Sequence, residues 1–115
     1  GFSSRVIARS GEAVASTSYV WHGAPDGGAT FAIDDGGWIY VSNAEIVAPG
    51  GGASAIVFDA SGRITGAHAV CAGTTRNCAG GPTPWGTWLT WEEVDRGRVL
   101  EKSSIRQSRI AGKSS

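Results

Sequence analysis

Short runs of β-branched and aromatic residues, each closed by a glycine-bearing turn, constrain this chain more than any other feature. Glycine accounts for 18 of the 115 residues, without collagen periodicity. That is about twice the ordinary share and fits all-β proteins with short strands and tight turns. Ala29-Thr30-Phe31-Ala32-Ile33 alternates, Asp34-Asp35-Gly36-Gly37 turns, and Trp38-Ile39-Tyr40-Val41-Ser42 returns, so a hairpin is predicted. A second is predicted from Ser54–Phe58, the turn Asp59-Ala60-Ser61-Gly62, and the partner run Arg63 to Val70. Thr87–Trp91 and Arg98–Glu101 suggest a third. Ser4 to Ala8 reads as a short strand, and residues 71–86 as a long Gly/Pro loop. Strand, turn and strand recur about every 25–30 residues, the rhythm of repeated antiparallel units such as propeller blades of roughly 40–50 residues. The expectation is an all-β fold, a partial β-propeller of about two to three blades built from antiparallel hairpins. From Lys102 the sequence turns polar and basic and reads as a disordered C-terminal tail.

The bulk numbers exclude several function classes. The formal net charge is zero and charged residues are 17% of the chain, so no nucleic-acid partner is expected. No apolar run reaches the ~18 residues that a membrane-spanning helix needs, and no signal peptide is visible. The closing Gly112-Lys113-Ser114 lacks the glycine and the preceding strand of a phosphate-binding loop.

The densest chemistry lies in residues 75–93, TRNCAGGPTPWGTWLTWEE. Cys78 stands between Asn77 and the Gly80-Gly81 pair; Pro82 and Pro84 follow, then Trp85, Trp88 and Trp91, then Glu92 and Glu93. Glu45, Glu92 and Glu93 each follow a predicted strand, where carboxylates beside backbone carbonyls suit a hard cation such as Ca²⁺; solvated strand ends are the plainer reading. A thiolate at Cys78 suits iron, zinc or copper. No CxxC pair exists, and Cys71 with Cys78 admits a disulfide or two inert thiols instead. Asn43 and Asn77 offer amide oxygens or turns. His22 and His68 fit no ligand spacing and read as surface or satisfied core. In a strand Trp85 and Trp91 point one way and Trp88 the other, either as core or as a wall beside a site.

This same stretch resembles the signature of the PhoX-type alkaline phosphatases, bacterial β-propeller proteins that are typically exported. The pattern is Asn-Cys-Ala, a glycine, Thr-Pro-Trp-Gly-Thr, then Leu-Thr and Glu-Glu, matched here from Asn77 to Glu93. PDGGATFAIDDGGWIYVSNAE and GGGASAIVFDASGRI also resemble family text, so the resemblance covers about residues 1–99, with 100–115 as the tail. It implies a metal-dependent phosphatase acting on phosphate monoesters, with iron and calcium in the central channel. By matched position Cys78 would be the iron thiolate, and Glu45 with Glu92 or Glu93 would be carboxylate ligands. It further implies a periplasmic or extracellular setting and a monomer when full length. Trp91 departs from the pattern, standing where the family usually has a second cysteine. A chain this short is expected to be a fragment, inactive alone. The alternatives are a non-catalytic propeller module that binds a partner, and a truncated product with no stable fold.

Overall fold

The computed structural model describes residues 1–103 and 105–106. Seven strands are found there, and no helix: β1 (Pro25–Ala32), β2 (Trp38–Ala44), β3 (Gly51–Phe58), β4 (Ile64–Thr74), β5 (Asn77–Pro82), β6 (Trp88–Glu92) and β7 (Val99–Lys102). They form two antiparallel sheets, a four-stranded one in the order β1-β2-β3-β4 and a three-stranded one in the order β5-β6-β7. Every pairing joins sequence neighbours, so each sheet is a simple meander.

The three predicted hairpins form as β1–β2, β3–β4 and β6–β7. The turns of the first two share one geometry with that of β5–β6, a hairpin not expected from the sequence. The amide of Ile33 bonds to Gly37 O and that of Gly36 to Ile33 O. Asp59 with Arg63 and Gly62 repeat the pattern, as do Thr83 with Thr87 and Gly86. Gly36, Gly62 and Gly86 have φ of 86°, 86° and 84°, a left-handed conformation that glycine adopts at little cost.

Alternation along the strands separates two cores. Ile39, Val41, Ala53, Ala55 and Val70 cluster with Trp88 of β6 and with Ile105, so one face of the larger sheet packs on the smaller sheet. Ile56 and Phe58 take the other face and pack with Val14 and Trp21. Covered on both sides, β3 is buried almost without interruption, as only a strand inside a layered stack is. Residues 7–21 form the outer cover: Ala13 bridges Val20, Tyr19 Oη lies 2.7 Å from Ser54 Oγ, and Trp21 stacks near Tyr40. His22 Nδ1 sits 2.8 Å from Ser54 Oγ, and burial lowers the pKa of its ring.

Three expectations need correction. Ser4 to Ala8 is not a strand; Arg5 reaches Gly62 O at 2.7 Å, but the segment pairs with no strand. Residues 71–86 are not one loop, because β4 continues to Thr74 and β5 follows after a two-residue break. Here glycine permits a strand instead of ending one. A Cβ on Gly80 would stand 2.4 Å from both Leu89 O and the Trp88 ring, so only glycine leaves room for Trp88 against β5. The tail does not begin at residue 100, since Leu100 pairs with Thr90 and Lys102 with Trp88 in β7. Beyond Ser103 only Ile105 and Arg106 fall among the described residues, and the rest of the expected tail lies outside them.

Candidate metal centre

The register of β1 with β2 sets Pro25 opposite Ala44, and that of β5 with β6 sets Asn77 opposite Glu92. Both hairpins carry an irregularity just beyond, between Pro25 and Gly28 and between Asn77 and Gly80. A bulge places an extra residue in one strand, bends it and re-aims its side chains. The bulges contain Asp26 and Cys78. The residue two before each has positive φ, Ala24 at 44° and Arg76 at 47°. Its carbonyl accepts the amide of the carboxylate that ends the partner strand: Ala24 O from Glu45 N at 2.9 Å, Arg76 O from Glu93 N at 3.0 Å. One backbone device, used twice, thus brings a bulge side chain and a strand-end glutamate to the same end of each hairpin.

The sheets place these ends side by side. The Sγ of Cys78 and a carboxylate oxygen each of Glu45 and Glu93 lie within 4.8 Å of one another. Glu45 also hydrogen-bonds to Asp26; that bond, with some burial and the nearby charges of Asp26 and Glu93, raises its pKa, while Arg76 acts in the opposite direction. Carboxylates this close hold either a proton or a cation between them. Hard oxygens beside one soft sulfur form a mixed donor set, and the residues fit a site that takes metal ions of both kinds. Next to the cluster is an open cleft of about 540 Å³ lined by Cys78, Ala79, Trp91, Glu93 and Val94 among others. A larger groove, about 660 Å³, runs between Arg5–Arg9 and the β3–β4 turn and shares no residue with the cluster. The candidate ligand cluster lies with the smaller cleft.

Of the four residues singled out in the sequence, Glu45, Cys78 and Glu93 come together and Glu92 does not join them. Glu92 is the last residue of β6 and its side chain is only 4% exposed. Arg98 binds it through Nε at 3.0 Å and Nη2 at 2.9 Å, and the amides of Arg98 and Thr75 complete its shell at 3.0 and 3.1 Å. These bonds, the Arg98 side chain first, hold its pKa down at about 2. With both oxygens engaged, Glu92 ties the β6–β7 connection to the β4–β5 link. Asp26 is the residue that the sequence reading missed. Its only signal was its place two before Gly28, in a stretch that reads as a loop.

Asn43 and Asn77 are fully buried and their amides are committed to the protein. Asn77 donates to Thr90 Oγ1 and accepts from Thr74 Oγ1. Cys71 and Cys78 are free thiols. Trp88 is the buried member of the tryptophan series, whereas Trp85 is 70% exposed and Trp91 36%, so core packing describes Trp88 alone.

A comparison with protein families gives one match: the profile of alkaline phosphatase PhoX aligns with residues 40–114, well over half of the chain. The chain belongs to the alkaline phosphatase PhoX family. No curated protein and no solved structure matches it. Glu45, Cys78 and Glu93 lie inside the PhoX match and Asp26 lies before it. The match starts within β2 and extends past β7, displaced toward the C-terminus from the resemblance read over 1–99. Among the described residues no helix is long and apolar enough to cross a membrane.

Proposed function

We propose that this chain is a portion of a metal-dependent phosphatase that hydrolyses phosphate monoesters, and that Glu45, Cys78 and Glu93, with Asp26, are metal ligands in it. The observation that carries the reading is the convergence of two carboxylates and a thiol within 4.8 Å in a chain of the PhoX family. The four-stranded meander has the form of a propeller blade and the three-stranded sheet that of an incomplete one, which supports a β-propeller parent. Cys78 offers the soft donor that iron accepts, and the carboxylates offer the hard oxygens that calcium prefers. Cations held there would offset the charge of a phosphate monoester and act as Lewis acids on it. The chain's own residues fix where those charges sit: the two bulges aim Asp26 and Cys78, and the paired backbone bonds aim Glu45 and Glu93. Among the described residues Arg76 is the cation whose charge acts on Glu45, too little to bind a phosphate alone, so the isolated chain is expected to be inactive. An exported setting is part of the same proposal.

Two measurements test it. Metal analysis of the chain after exposure to iron and calcium should find both, and Cys78→Ser should lose the iron. A full-length PhoX protein carrying this segment should hydrolyse p-nitrophenyl phosphate and stop when chelated. A metal-loaded parent without activity would overturn the phosphatase reading in favour of a binding module.

A further inference from the structure

We propose that Asn43 is the positioning residue of this centre, the side chain that sets the Cys78 bulge against Glu45 across the gap between the two sheets. The inference rests on the metal-site reading above, and concerns what holds the donors in place.

Glu45 belongs to the larger sheet, Cys78 and Glu93 to the smaller. No covalent link closer than the β4–β5 connection joins them, so something must fix their separation. Asn43, two residues before Glu45 and wholly buried, does this with every hydrogen-bonding atom it has. Its Nδ2 donates to Cys78 O at 2.9 Å and to Ala79 O at 3.1 Å. Its Oδ1 accepts from Trp88 Nε1 and from Thr90 Oγ1, both at 3.0 Å. The orientation of the amide is fixed by chemistry. The indole N–H can only donate and the two carbonyls can only accept, so oxygen must face Trp88 and nitrogen must face the bulge.

The two carbonyls belong to the residues where the β5–β6 register shifts, where a bulge disrupts the ladder. Asn43 supplies bonds to them from the neighbouring sheet. Gly27 bounds the bulge on another side: a Cβ there would stand 2.7 Å from Cys78 O. The Cys78 backbone is therefore held between an amide and a bare glycine, with its Sγ free to face the cleft. Aspartate has the same shape but no donors, so it would set a carboxylate against two carbonyl oxygens. Glutamine is a methylene too long for the same four bonds.

The test uses the full chain with Cys71→Ser as background and Co²⁺ as the probe. The parent chain should show a thiolate-to-cobalt charge-transfer band that Cys78→Ser removes. Asn43→Asp, folded by circular dichroism, should bind Co²⁺ about 10–100-fold more weakly, as loss of a supporting hydrogen bond does at other metal sites. Without metal, it should also change the rate at which Cys78 reacts with Ellman's reagent, a readout that a general loss of stability in a folded variant does not move. An Asn43→Asp chain with parental Co²⁺ affinity and thiol rate overturns the proposal. Should that variant not fold, Asn43→Ser decides: it removes the bonds to the Cys78 and Ala79 carbonyls without burying a charge, and parental values for both readouts would sink the idea. If the parent itself shows no Cys78-dependent cobalt band, the metal reading fails, and the thiol rate alone judges Asn43.

Discussion

The β1–β2 and β5–β6 hairpins share a turn, a bulge and a strand-end glutamate, yet differ at three matched positions beside the site. Asp26 in the first bulge corresponds to Cys78 in the second. Asn43 corresponds to Trp91, and buried Ala44 to buried Glu92. The shared backbone determines where donors stand, and the differences determine what each hairpin does with them. The first gives a hard donor and sends an amide across to its neighbour. The second gives a soft donor and spends its inward position on an ion pair with Arg98. Trp91, at the place of the bridging asparagine, lines the open cleft instead.

The comparison can be broken most forcefully at the tryptophans that open the return strands. Trp88 is fully buried between the sheets, whereas Trp38 is half-buried against Phe58. Trp88→Ala should cost about 3–5 kcal/mol in urea unfolding and Trp38→Ala distinctly less. Equal costs would mean that the smaller sheet does not rely on its docking face. Next in size is the equivalence of the glutamates. Glu45→Gln and Glu93→Gln should each weaken Tb³⁺ binding on the order of tenfold, read by sensitised luminescence, since affinity follows the number of charged ligands. A large loss for one and none for the other would end the equivalence.

Exchanging the bulge donors sharpens the contrast. Cys78→Asp should retain Tb³⁺ binding and lose the cobalt charge-transfer band, because the position is kept and only the softness of the donor changes. The ion pair gives a prediction in pH. Glu92 has a folded pKa of about 2 against an ordinary 4.5. Its contribution is therefore complete above 4.5 and lost as pH falls toward 2. Thermal unfolding of Glu92→Gln should show less acid dependence across that window than the parent. The smallest effects belong to the shared turns. Gly36→Ala and Gly86→Ala, at φ of 86° and 84°, should each cost about 1–2 kcal/mol.

Much of this arrangement is legible in the sequence, for identifiable reasons. Asp-Asp-Gly-Gly and Asp-Ala-Ser-Gly mark turns because each needs one left-handed glycine, Gly36 and Gly62, and the alternating runs beside them expose one face at a time. Glu45 is recognisable as the residue that follows a strand. The β5 strand is not legible, since Gly80-Gly81 looks like a breaker until Trp88 is seen to need the space beneath it. Nor does the adjacency of Glu92 and Glu93 say which one faces the cleft. A strand sends neighbours to opposite sides, and Arg98 captures the inward one. Asp26 is hidden for a related reason: a bulge has no signature of its own, and its role appears only once its counterpart Cys78 is placed.

Because the proposed donors come from two sheets that meet without interleaving strands, a cation bound there would also be a mechanical tie between them. Any ion that prefers the closed arrangement adds its binding free energy to the cohesion of the pair, by RT ln(1 + [L]/Kd), or about 2.7 kcal/mol at a hundredfold excess over Kd. Cation supply would then regulate how firmly the two layers adhere, and mineral depletion would be felt first as a loosening of the molecule.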